Sequence, residues 1–208
     1  MAIATRRDHE HDAEALSQAL SSDDAAHWSA GTFATPLGPM LAIAGDAGLT
    51  LLEFADRRAL PRELQDVQAG GAIARRPHAV IEQTEHELGE YFEGRRTRFT
   101  IPLDPRGTPF ERSVWDRLLT IPHGATASYA DIARTLGKPG ASRAIGRANG
   151  ANRIAVVIPC HRVIRSDGAL CGYGGGLERK RWLLQHEGAG FEGQPSLFAS
   201  GGDQSNAG

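Results

Sequence analysis

Cys160 is the residue of this 208-residue chain best placed to do chemistry. It sits in IPCHRV, after a β-branched apolar run, with Pro159 before it and His161 after it. A thiol attacks as its thiolate, and an adjacent imidazole oriented by a carboxylate can take the proton. The residues alone leave two readings open, a buried structural thiol or a nucleophile. The second cysteine, Cys171, is either a packing residue or a second thiol, and two cysteines build neither a disulfide framework nor a four-cysteine zinc site. The eight histidines add no recognised ligand spacing, so neither a metal nor another cofactor is expected. GKPGAS lacks the residue order of a phosphate loop, and the glycines of 172–176 follow no suitable strand.

Three further side chains could serve that thiol. Glu187 closes the helix LERKRWLLQHEG, where a negative charge opposes the helix dipole and needs compensation. It is either a helix-end charge or the partner of an imidazole. Tyr129 follows Ser128 at a helix start and is either a half-buried core tyrosine or a placed proton donor. Asn152 stands between a helix and the run AVVI, where its amide can bond backbone on both sides.

The elements that must position these residues are legible as pattern. Residues 1–30 are polar and without periodicity, which predicts an extension with little order, and the same holds for 189–208. Short apolar runs at 33–35, 40–44 and 49–54, separated by LGP and GDAG, predict antiparallel strands. A helix follows through Val80, Ile81, Leu88, Tyr91 and Phe92, with Gly94 at its end, and RFTIPL reads as another strand. Thr108, Pro109 and Glu111 spell a capping box for a helix whose apolar face is Phe110, Val114, Trp115 and Leu118. Ser128 with Asp131 is a second box, opening YADIARTLG. KPGA then turns the chain into a helix over 142–149, a helix-turn-helix pattern, and AVVI reads as a buried strand ending at Cys160.

A formal net charge of −2 offers no general attraction for nucleic acid. The charge is segregated, however: residues 123–188 hold ten Lys or Arg against four Asp or Glu, giving +6 and leaving −8 for the rest. No apolar run approaches the roughly 18 residues of a membrane span. The opening MAIATRRDHEHDAEAL has no apolar stretch before a cleavage site, and a cytoplasmic protein is expected.

IPCHRV, with its spacing to GGLERKRWLLQHEG and with the helix-turn-helix, Arg143, Asn152 and Glu187 in register, resembles the O6-alkylguanine-DNA alkyltransferases. The likeness is close over 109–188 and limited to element layout over 31–103. It implies an α+β protein, with a small RNase-H-like N-terminal domain over 31–104 and a mostly helical, winged-helix-like helix-turn-helix domain over 105–188. It implies DNA repair by a single-use alkyltransferase, with Cys160 taking the alkyl group from O6 of guanine for good. His161 would withdraw the thiol proton through a water, Glu187 would orient His161, Tyr129 would donate to the leaving base, and Asn152 would hold the turn.

The same resemblance implies duplex DNA bound through the minor groove with the damaged nucleotide rotated out and Arg143 in its place. Ser142 and Ala144 would lie in a recognition helix whose small residues allow close approach. Arg147, Arg153, Lys138 and Arg165 are candidate phosphate contacts, though each taken alone reads first as a solvated surface charge. Val157, Ile158, Val163, Tyr173, Gly174 and Gly175 would line or support the pocket, with Gly174 standing where many relatives carry serine. QPSLF in the tail resembles a sliding-clamp docking motif, with Gln194, Leu197 and Phe198 as its anchors. A monomer is expected. The rival readings are a non-enzymatic alkyl-base binder, against which Cys160 argues, and a cysteine hydrolase, which would turn over and ignore DNA.

Overall fold

The computed structural model describes residues 20–21 and 27–191. The N-terminal half is a five-stranded sheet in the order β1-β5-β2-β3-β4. Its strands are β1 (Leu20–Ser21), β2 (Trp28–Phe33), β3 (Met40–Gly45), β4 (Gly48–Phe54) and β5 (Ile73–Arg75). β2, β3 and β4 form an antiparallel meander, and β5 joins β2 in parallel. Every residue of β3 and β4 is buried because both sheet faces are covered. Leu41, Ile43 and Leu51 pack with Leu60, Leu64 and Val67 of helix α1 (Leu60–Gln68). Met40, Ala42, Leu52 and Phe54 point the other way, toward Ile81, Leu88 and Tyr91 of α2 (Ala79–Phe92) and the core of the C-terminal half.

That second half is helical: α3 (Pro109–Leu118), α4 (Tyr129–Thr135), α5 (Ser142–Gly150) and α6 (Leu177–His186), with a 3-10 turn at Cys160–Arg162. Both expected capping boxes are complete, Thr108 with Glu111 and Ser128 with Asp131. Ala127–Ser128 and Val163–Ile164 form a two-stranded parallel pair, β6 and β7, which ties the start of α4 to the segment after the cysteine. Trp115 Nε1 donates to Ala148 O at 2.8 Å and fixes α3 against α5. The second and third antiparallel strands, the 79–92 helix and the helix-turn-helix stand where the pattern placed them.

Four readings need correction. The first strand is Trp28–Phe33 rather than 33–35, so Trp28, Ser29 and Ala30 are buried sheet residues and not part of an extension. RFTIPL is not a strand: Leu103 makes one isolated bridge to Leu49, and Pro102, which has no N–H, stands where a ladder donor would be needed. AVVI is not a strand either. Ile154 bridges Leu52 once, and the chain then turns, with Ile158 N donating to Ile154 O at 3.0 Å and Val156 held at φ 69°. Four consecutive apolar residues carry no period, so burial was readable and conformation was not. Lastly, α1, β1 and β5 have no counterpart in the pattern, and β1 lies inside the expected N-terminal extension. The PRELQDVQ stretch alternates charge with few apolar anchors, and β5 is only three residues long.

Among the described residues no helix is long and apolar enough to cross a membrane. QPSLF lies outside the described residues.

Candidate active site

The turn after Ile154 exists to deliver Cys160. Leu52 of β4 holds it from both sides: Leu52 N donates to Arg153 O, and Ala155 N donates to Leu52 O, each at 2.8 Å. A valine at φ 69° is strained, and such strain persists only where surrounding bonds over-determine it. Asn152 supplies the rest. Its Nδ2 lies 3.0 Å from Ile158 O, 3.3 Å from Ile154 O and 3.1 Å from Cys160 Sγ, while its Oδ1 accepts from Ile154 N at 3.0 Å. One amide therefore spans the turn, as the sequence suggested, and also reaches the sulfur.

Cys160 is 6% exposed and sits at a cavity of about 230 Å³. Burial pushes its thiol up to about 11; the Asn152 hydrogen bond and the Arg57 charge pull downward, and Glu53 pushes upward. The resting sulfur is therefore a protonated thiol, and its activation must accompany attack.

Behind it lies a fully buried charge group. Glu187 Oε1 accepts from Tyr91 Oη at 2.7 Å, from His161 Nε2 at 2.9 Å and from Arg162 Nη2 at 2.9 Å. Its Oε2 accepts from Arg162 Nε at 2.8 Å and faces Gly124 N at 3.4 Å. Burial works against the carboxylate, but the bonds from His161 and Arg162 outweigh it and hold the group well below the usual carboxylate range. The charge that a helix end disfavours is thus neutralised by a bidentate guanidinium. His161 is pushed down from its ordinary value, by burial first and by the Arg162 and Lys180 charges, against the opposing pull of Glu187. A neutral imidazole donating through Nε2 leaves Nδ1 as the acceptor, and Nδ1 is buried with no protein partner. This tautomer follows from the hydrogen-bond network.

The cavity wall combines both halves of the chain. Tyr129, Asn152, Cys160, Tyr173, Gly174 and Gly175 line it, and so do Glu53 and Arg57 from the sheet domain and Gly146, Asn149 and Gly150 from α5. Burial raises Tyr129 far above its ordinary value, helped by the Cys171 thiol, whose Sγ lies 3.5 Å from Tyr129 Oη, so its hydroxyl is retained as a donor. Tyr173 meets His161 edge-on at 6.5 Å between ring centres. A Cβ on Gly175 would lie 2.8 Å from the Tyr173 ring and 2.9 Å from Phe54, so this position excludes any side chain.

Three of the expected lining residues stand off the cavity. Ile158 and Val163 are fully buried core, supporting the turn, and Val157 faces a separate cleft with Ile121 and Pro159. On α5, Arg143 and Arg147 are exposed one turn apart, and Ser142 and Ala144 are half-buried beside them. Among the described residues neither arginine has an ion pair. The other candidate cations are engaged: Arg153 with Asp66 of α1 at 2.6 Å, Arg165 with Asp167 at 2.9 Å, and Lys138 over the Phe110 ring.

Glu53, Arg57, Tyr91, Asn149 and Arg162 were missed. A signal existed for three of them: Glu53 interrupts the apolar run TLLEF, Arg57 stands four residues after it, and Arg162 directly follows the Cys-His pair.

Comparison with known proteins agrees with this geometry. Residues 29–105 match the family description "6-O-methylguanine DNA methyltransferase, ribonuclease-like domain", and residues 109–189 match "6-O-methylguanine DNA methyltransferase, DNA binding domain". The chain belongs to the 6-O-methylguanine DNA methyltransferase family. The family's methylated-DNA–protein-cysteine methyltransferase of Mycolicibacterium paratuberculosis is 48% identical over 157 residues, covering 75% of this chain and 90% of that one. Its counterpart in Mycobacterium bovis is 42% identical over 167 residues, covering 80% and 96%. The crystal structure of Mycobacterium tuberculosis OGT in complex with DNA superposes with a TM-score of 0.66 at 42% identity, covering 78% of this chain and 92% of that one.

Proposed function

We propose that this chain repairs DNA by moving an alkyl group from O6 of guanine to Cys160 in one irreversible displacement. The observation that carries the reading is the buried Cys160 thiol at a cavity, with the Asn152 amide 3.1 Å from its sulfur and, next to it in the chain, His161 bonded to Glu187. The Sγ–carbon bond forms as the carbon–O6 bond breaks, and the electron pair of the broken bond stays on the base. His161 Nδ1 takes the thiol proton, relayed by a water. Tyr129 Oη hydrogen-bonds the base as its negative charge grows, which is where a placed donor lowers the barrier most. Net, the leaving guanine carries the proton that the thiol lost, and the thioether is final.

Glu187 and Arg162 act through His161. A carboxylate compensated by Arg162 fixes the Nε2–H tautomer without becoming the proton acceptor itself. Buried polar atoms on cavity residues, Glu53 Oε2, Asn149 Oδ1 and Tyr173 Oη, have no protein partner. They suit a ligand with ring and amino N–H groups, as guanine has.

A base stacked in duplex DNA cannot reach this cavity, so the nucleotide rotates out. α5 is the element that both walls the cavity and presents exposed Arg143 and Arg147. Its small residues suit approach to the minor groove, with Arg143 filling the vacated stack and Arg147 on phosphate. Binding by a monomer fits a site contained in one chain. For the tail, docking of QPSLF on a sliding clamp is tested by pull-down against a chain truncated after Gly190; equal retention refutes it.

The deciding experiment is incubation with duplex carrying radiolabelled O6-methylguanine. Label should reach the protein at no more than one per chain, and Cys160→Ser should accept none. Repeated turnover, or label on Cys171, would overturn the assignment.

A further inference from the structure

Arg57 reaches the alkyl-acceptor cavity from the sheet domain, and its guanidinium is held on all sides. It pairs with Glu53, with Glu63 at 3.0 Å, and donates to Asn152 O at 3.2 Å and Gly150 O at 3.3 Å. Its side chain is 8% exposed. These acceptors lie at the end of α5 and on the residue that clamps the cysteine turn, so the guanidinium cannot drift without breaking bonds on two domains.

The opposite side of this group is Gly174. A Cβ built there would lie 2.8 Å from Arg57 Cζ and 2.8 Å from Nη1. Such a clash is cheap when a flexible side-chain end can move aside, but this end is anchored to two carboxyl groups and two backbone carbonyls. Arg57 therefore occupies the space that a side chain at position 174 would fill, within the same cavity wall as Cys160 and Tyr173.

We propose that Arg57, braced by Glu53 and Glu63, is a specificity-determining residue of the pocket, taking the place of a residue-174 side chain and limiting the size of the O6 substituent accepted. The inference rests on the alkyl-transfer reading above. A planar, anchored cation takes up part of the cavity that Cys160 also lines: a methyl group fits the remainder, whereas a benzyl group requires the guanidinium to move.

The test compares transfer rates from duplexes carrying O6-methylguanine and O6-benzylguanine, for the full chain and for Arg57→Ala, Gly174→Ser and the double variant. Arg57→Ala should raise the benzyl-to-methyl rate ratio by about ten-fold, the discrimination typical of adding or removing small apolar volume. Gly174→Ser should slow methyl transfer by about ten-fold in the Arg57 chain and by no more than about two-fold in the Arg57→Ala background, because residues in contact are not additive. Arg57→Lys keeps a cation between the two carboxyl groups and should shift the ratio in the same direction, which keeps the test decisive if Arg57→Ala does not fold. A ratio unchanged in both Arg57 variants, or a serine effect equal in both backgrounds, overturns the proposal while methyl transfer by the unaltered chain stands. No methyl transfer by the unaltered chain would refute the underlying reading instead.

Discussion

Replacing Arg162 with leucine isolates the charge logic of the site. Arg162 gives Glu187 two hydrogen bonds, at 2.8 and 2.9 Å, and donates a third to Ile121 O at 2.6 Å. Glu187 is 5% exposed, so its carboxylate cannot recover those bonds from water. Removing one partner of a buried pair costs about 3–5 kcal/mol, a large share of a total stability of roughly 5–15 kcal/mol. The carboxylate must then rise in pKa or draw a proton onto His161. Either outcome disables the base: a neutral Glu187 no longer fixes the tautomer, and an imidazolium has no acceptor lone pair. Urea unfolding followed by tryptophan fluorescence should show the loss of stability, and single-turnover alkyl transfer at neutral pH should fall by about two orders of magnitude or more. The double variant Arg162→Leu/Glu187→Leu removes both charges and should be more stable than Arg162→Leu alone, while remaining inactive. An Arg162→Leu chain as stable as the parent, or a double variant no more stable than the single one, would refute the view that the guanidinium compensates a buried carboxylate.

Other outcomes follow from single contacts. Glu53 ionises near 4.5 when unfolded and near 8 when folded, because burial outweighs the pull of Arg57. Between those values the folded chain holds the extra proton, so stability falls as pH rises, and Glu53→Gln should flatten that fall in urea midpoints measured from about pH 5 to about pH 8. A slope unchanged by the substitution would contradict it. Asn152→Ala leaves Ile154 N unpaired in the core, for about 1–3 kcal/mol, and should move the pH dependence of thiol alkylation upward because Sγ loses its donor. Thr108→Ala breaks the α3 capping box far from the cavity and should cost about 1 kcal/mol in unfolding while leaving the transfer rate unchanged.

The parts of this molecule legible in the sequence are those written in local chemistry. Both capping boxes, the Gly94 helix end and the Cys-His pair depend on neighbours a few residues apart. What stayed hidden was set by distant partners. AVVI is buried as expected, but Leu52, about a hundred residues earlier, decides that it turns instead of extending. Glu187 could be picked out as a charge needing compensation, yet nothing local says that Arg162 and Tyr91 provide it. Glu53 and Arg57 carried a faint local mark, a charge inside an apolar strand with an arginine four residues on. Their place in the pocket follows only when the segment after β4 meets the end of α5, where Arg57 bonds Gly150 O.

That packing explains why the sheet domain belongs to the site at all. A nucleophile used once gains from staying unreactive until its substrate is seated, and a buried thiol near 11 does so. Keeping it buried requires a lid of core behind Cys160 and a rigid wall in front. The helical half supplies the first through Ile158, Val163 and Leu183, and the sheet domain supplies the second through Glu53 and Arg57. Asn152 belongs to both, since its carbonyl accepts from Arg57 while its amide reaches the sulfur. A displacement of the sheet domain would therefore be felt at Sγ through Asn152 as well as through the two Leu52 bonds that hold the strained turn at Val156.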